Sequence, residues 1–126
     1  MSADRQASTV GALGVHWIID AAECDPRSLR DATAIRSLLE RIVADLDLHP
    51  IADALFHPFP GEAGITALWL LSESHLAVHT FPEMASASLD LYCCRPRPPF
   101  DWHRALALHL GARRVSVRSM GRGTNA

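Results

Sequence analysis

The chain has 126 residues, 48% of them hydrophobic and 21% charged, with a net charge of -2 at neutral pH. That is the size and composition of one globular domain, and a near-neutral balance without a Lys/Arg stripe gives no footing for nucleic acid. No apolar run approaches the roughly 20 residues that cross a bilayer, so no membrane partner is expected. The opening Met1-Ser2-Ala3-Asp4-Arg5-Gln6 lacks the basic-then-apolar pattern of a secretory leader, so a cytoplasmic location is expected.

Residues 1–9 are polar and expected to stay unpaired. Val10 to Ala22 is rich in β-formers and predicts the first strand, ended by Cys24-Asp25-Pro26. Asp25 before Pro26 offers a helix cap with proline at the first helical position, and Asp31 offers a second cap. Ile35, Leu38, Leu39, Ile42, Val43 and Leu46 recur at spacings of three and four, which is one apolar stripe on a helix of about four turns. Arg36, Glu40, Arg41 and Asp45 form its solvated face. His49-Pro50 breaks the helix, and Ile51 to Phe56 predicts a second strand. Pro58 to Gly64 is loop by its proline and glycine content. Ile65 to Leu71, a nearly continuous apolar run, predicts a central buried strand.

A turn at Ser72-Glu73-Ser74 leads into a strand, His75–Phe81. Alternation there puts Leu76 and Val78 on one face and His75, Ala77, His79 and Phe81 on the other. Ser86 to Cys94 alternates in the same way. Leu89, Leu91 and Cys93 share one face; Asp90, Tyr92 and Cys94 share the other. Asp101 caps a short second helix carrying Trp102, Ala105 and Leu106, with Gly111 as its C-cap. Arg113 to Arg118 predicts a last strand at a sheet edge, and residues 119–126 a polar tail. The order gives a two-layer α+β sandwich, an antiparallel sheet with two helices on one face. Its second face, carrying His79, Phe81, Asp90 and Cys94, is either solvated or lines a site.

Ser74 beside His75 and His79 suggests nucleophilic chemistry. There is no Gly-x-Ser-x-Gly elbow, and the serine precedes an antiparallel strand rather than a helix, which argues against an ordinary serine hydrolase. On a strand His75 and His79 lie about 13 Å apart, too far to hold one ion, so no metal is expected. Cys24, Cys93 and Cys94 make no disulfide framework and lack metal spacing.

Glu73-Ser74-His75, His79-Thr80 and Pro82-Glu83 resemble the self-cleavage motif of the prokaryotic S-adenosylmethionine decarboxylase proenzymes, whose pattern runs Glu-Ser-His-x-x-x-His-Thr-Trp-Pro-Glu. Thr66, Asp90 and Cys94 stand where that family has Thr or Ser, Asp, and Cys. His16, Asp20 and Cys24-Asp25 resemble its first strand and turn. The resemblance spans residues 14–95. It implies that the Ser74 hydroxyl attacks the Glu73 carbonyl in an N→O acyl shift. β-Elimination and hydrolysis then leave a pyruvoyl group at residue 74 as a covalent cofactor. The single domain, residues 1–126, becomes a β chain of residues 1–73 and an α chain of residues 74–126.

In this reading Thr66 donates to the oxyanion, His79 takes the proton lost in elimination, and Cys94 is the general acid of turnover. The pyruvoyl carbonyl forms a Schiff base with the substrate and serves as electron sink. The implied reaction is decarboxylation of S-adenosylmethionine to the aminopropyl donor of spermidine and other polyamines. Phe59 and Phe81 are expected to sandwich the adenine, with Glu83 and Asp90 facing the substrate. The resemblance also implies a homodimer of cleaved protomers with the site between subunits.

The chain departs from the family at four places. Phe81 replaces Trp, Pro60 stands at an aromatic position with Phe59 beside it, small residues such as Ala85 follow Pro82-Glu83, and Arg95 replaces Gly. Two other readings compete: a pyruvoyl decarboxylase of another amino acid, such as arginine or ornithine, and an uncleaved binding or regulatory homologue.

Overall fold

Asp25 and Asp31, placed before helical stretches, both act as caps. In a computed structural model, which describes residues 2–6 (backbone only), 12–61 and 63–123, the Asp25 carboxylate accepts from the Arg27 N–H and Asp31 from the Thr33 N–H, each at 2.9 Å. Each satisfies a donor that a helix start leaves orphaned. The chain therefore makes a one-turn helix, α1 (Pro26–Leu29), before the long α2 (Ala32–Asp45). The apolar stripe of α2 is fully inside, with Ile35, Leu38, Leu39 and Ile42 at 0% exposure. Asp101 caps α3 (Trp102–Leu110). Gly111 ends α3 at φ 66°, where a side chain is strained; a Cβ there would also meet Asp25 Cβ at 3.2 Å.

The strands are β1 (Ser2–Gln6), β2 (Gly14–Ala22), β3 (Leu55–Pro58), β4 (Ile65–Leu71), β5 (Ser74–Phe81), β6 (Ser86–Cys93) and β7 (Arg114–Arg122). They form one sheet in the order β1-β7-β2-β6-β5-β4-β3. All neighbours are antiparallel except β1 and β7. One apolar core, including Ile19, Leu76, Leu89, Leu106 and Leu110, fills the space between this sheet and the helices. The architecture is the expected α+β sandwich, with α1 added to the two longer helices.

Several boundaries differ from those read in the sequence. Ser2–Gln6 is not an unpaired tail but an edge strand, and it covers β7, which is therefore internal. β7 runs on to Arg122, through the start of the stretch read as tail. Val10 and Gly11 of the predicted first strand lie outside the described residues; the strand is seen from Gly14. The second predicted strand slides toward the C-terminus. The chain bends at Ile51 and Ala52, and pairing with β4 begins at Leu55. Pro58 fits there because an edge strand's last residue needs no ladder donor.

β4 is not buried on both faces. Leu68 and Leu70 are 46% and 57% exposed on the face away from the helices, next to the open Leu55 at 71%. The apolar run belongs to a sheet covered on one face only.

Candidate active site

The β4–β5 hairpin brings the motif's first part together. Leu71 pairs with Ser74, so Ser72 and Glu73 form a two-residue turn and the Glu73–Ser74 peptide bond lies at its exit. The Glu73 carbonyl accepts a hydrogen bond from the Cys94 N–H at 3.0 Å. The Glu73 carboxylate is ion-paired with the Arg95 guanidinium. One end of this peptide bond is thus gripped by the two residues that follow β6.

Ser74 itself faces the helices. It is 8% exposed and directly opposite Cys93 in the ladder, side chains on the same face. Among the described residues its Oγ has no nitrogen or oxygen partner although it is buried. Its polar neighbour is the Cys93 thiol, a weak partner for a buried hydroxyl. Burial pushes the Cys93 thiol above its usual range, which keeps it protonated beside the serine. Cys94 lies beyond the end of β6 and is exposed, so strand alternation stops short of it.

The second part of the motif lies elsewhere on the same strand. Thr66 and His79 are register partners, with Thr66 Oγ1 and His79 Nδ1 3.1 Å apart on the open face. Ser74 and His79 are separated by five positions, an odd number, so they point to opposite faces. Five strand steps are also roughly 16 Å. Within one chain the structure does not bring Ser74 to His79 and Thr66. It does gather Thr66 and His79 with Phe59, Pro60, Phe81 and Glu83 around a cleft of about 290 Å³. Phe59 and Phe81 are both about half-exposed on its rim.

Asp90 stands in a third group. Its carboxylate meets His16 Nε2 at 3.3 Å and His75 Nε2 at 3.5 Å. The Arg122 guanidinium donates to His16 Nδ1 at 3.1 Å. An arginine can only donate, so Nδ1 accepts, and a neutral His16 carries its proton on Nε2, toward Asp90. His75 also stacks on Tyr92, ring centres 5.9 Å apart.

Sequence reasoning missed several of these parts. Thr80, with no role read from it, is buried; it accepts from the Ile65 N–H at 2.9 Å and donates to the Leu29 carbonyl at 2.7 Å, fastening both motif strands to α1. The Cys94 N–H carries no side-chain signal at all. Arg95 had one, as a departure from the family's glycine.

The model of the S-adenosylmethionine decarboxylase family matches residues 15–123 of this chain. The chain belongs to the S-adenosylmethionine decarboxylase family. An S-adenosylmethionine decarboxylase proenzyme of Carboxydothermus hydrogenoformans is 30% identical over 115 residues, 90% of this chain and 89% of the relative. One from Pyrococcus abyssi is 35% identical over 82 residues, 65% of this chain. The chain spans only 58% of the length of that archaeal relative. The crystal structure of the adenosylmethionine decarboxylase from Aquifex aeolicus VF5 superposes with a TM-score of 0.75 at 29% identity, covering 91% of this chain and 94% of that one. The family match covers all three groups described above, from His16 to Arg122.

Proposed function

We propose that this family member is a self-cleaving proenzyme that decarboxylates S-adenosylmethionine. The observation that carries the reading is the held Glu73–Ser74 peptide bond: its carbonyl already accepts the Cys94 N–H, beside a buried serine hydroxyl that has no nitrogen or oxygen partner among the described residues. Attack of Ser74 Oγ on that carbonyl develops negative charge on the oxygen, and a donor already aimed there stabilises it. The ester that forms breaks by loss of the Ser74 Cα proton. Residue 74 thus fits as the source of a pyruvoyl group, whose carbonyl supplies an electron sink for the pair left behind by CO₂. Cys94, exposed at the same peptide bond, is the proton donor to the substrate carbon.

Thr66 and His79 serve this chemistry from a second copy of the chain. They lie at the far end of β5 and on the opposite face from Ser74, so one chain alone leaves the machinery divided. The open sheet face offers Leu55, Leu68 and Leu70 to a partner. A two-fold axis lying between two such faces and perpendicular to β5 runs the two β5 strands in opposite senses, which carries each Thr66–His79 pair toward the other chain's Ser74 end. The cleft edged by Phe59 and Phe81 suits an aromatic base with a cationic sulfur nearby, and Glu83 suits its ribose hydroxyls. Pro60, a non-aromatic wall of the same cleft, favours a smaller amine substrate as the second reading.

Intact-mass measurement of the purified protein tests the proposal. Two chains are expected, breaking after Glu73, and borohydride in the presence of S-adenosylmethionine should tag only the smaller one. A chain that stays whole through prolonged incubation overturns it. Release of CO₂ from arginine or ornithine but not from S-adenosylmethionine moves the assignment to the second reading.

A further inference from the structure

This inference rests on the self-cleavage reading and extends it. Maturation places negative charge on Glu73 twice. Attack by Ser74 Oγ puts it on the Glu73 carbonyl oxygen. Elimination then passes the Ser74 Cα proton to the His79 imidazole of a second copy, forms the Cα–Cβ double bond and breaks the Cβ–Oγ bond. That bond's electron pair leaves with the Glu73 α-carboxylate. The leaving group is a carboxylate born on a residue that already carries one.

Like charges on one residue raise the barrier to that departure unless a cation stands between them. The structure puts a cation on the side-chain charge. The Arg95 guanidinium is paired with the Glu73 side chain, while the neighbouring Cys94 N–H holds the Glu73 carbonyl. Two consecutive residues therefore grip both the spectator carboxylate and the reacting carbonyl. Arg97 does not compete for this role, because its Nη1 is turned to the Asp47 carbonyl at 3.2 Å.

We propose that Arg95 is a positioning residue of the maturation step: it neutralises the Glu73 side chain while the adjacent α-carboxylate leaves, and afterwards retains the new C-terminus of the 1–73 chain. Arg95 is 67% exposed and the Glu73 side chain 34%, so the effect is modest and screened by salt.

The test follows cleavage of the full chain by intact mass over time. Arg95→Ala should cleave about fivefold more slowly, the size of one partly exposed charge contact at the reacting residue. It should accumulate the ester, read as extra chain release on adding hydroxylamine, because departure of the carboxylate is the slowed step. Arg95→Lys should keep most of the rate. The decisive variant is Arg95→Ala with Glu73→Gln, which removes the anion that the cation offsets and should recover the wild-type rate. High salt should slow the wild type but not Arg95→Ala. Arg95→Ala cleaving at the wild-type rate, or a double variant as slow as the single one, overturns the proposal while leaving self-cleavage intact. A wild-type chain that never cleaves overturns both.

Discussion

Ser74 and Cys94 occupy the two ends of one hydrogen-bonded contact, and their replacements should separate two chemistries. Ser74→Ala removes the nucleophile and should leave a single uncleaved chain without activity. Cys94→Ala keeps the backbone N–H that holds the Glu73 carbonyl. It should therefore still cleave, but release CO₂ at least tenfold more slowly, as loss of a general acid does. Intact mass reads the first effect and a CO₂ assay the second; full turnover by Cys94→Ala would remove the thiol from the proton path. At this scale residue types at fixed spacing named Glu73, Ser74, Thr66, His79 and Glu83 as candidates, and the turn that carries the Glu73–Ser74 bond was legible. The Cys94 N–H was not, because a backbone donor leaves no mark in a sequence. The His16–Asp90–His75 group was not, because it joins β2, β5 and β6 across the sheet.

The motif strands are held as elements by Thr80 more than by either histidine. Its hydroxyl takes the Ile65 N–H and gives its own proton to the Leu29 carbonyl, both in the buried layer. Thr80→Val keeps the shape and removes both bonds, leaving a donor and an acceptor unsatisfied. The expected loss is about 2–4 kcal/mol, measured by urea unfolding of the uncleaved Ser74→Ala chain. Elements whose burial alternates, such as β5 and β6, could be read face by face, and so could the aspartate caps of α1, α2 and α3. The edges could not. β1 reads Ser2-Ala3-Asp4-Arg5-Gln6 and takes its place by backbone register with β7, which no apolar pattern announces. The apolar run of β4 looked doubly buried because the uncovered face also carries leucines.

The proposed pairing of two chains through that uncovered face has a consequence for the whole molecule. If Thr66 and His79 act on a partner's Ser74, two defective chains should repair each other. Ser74→Ala keeps the Thr66–His79 pair, and His79→Ala keeps the nucleophile. Neither alone should complete cleavage, whereas co-expression should cleave the His79→Ala chain and leave the Ser74→Ala chain whole. Tagging the two chains differently before mass measurement distinguishes them, and no cleavage in the mixture would place the chemistry within a single chain.

The strand order has its own consequence for a cleaved protein. A cut after Glu73 assigns β1, β2, β3 and β4 to one product and β5, β6 and β7 to the other. In the sheet these alternate: β7 lies between β1 and β2, β6 beside β2, and β5 beside β4. The two products are therefore knitted through four strand boundaries, and neither holds a sheet that stands without the other. Losing one covalent bond leaves the native state unchanged in its contacts, but the unfolded state becomes two molecules instead of one. Folding, once unimolecular, turns into an association that depends on concentration. Once matured, such a protein would be easier to keep than to rebuild, its lifetime set by how slowly it opens rather than by how well it refolds.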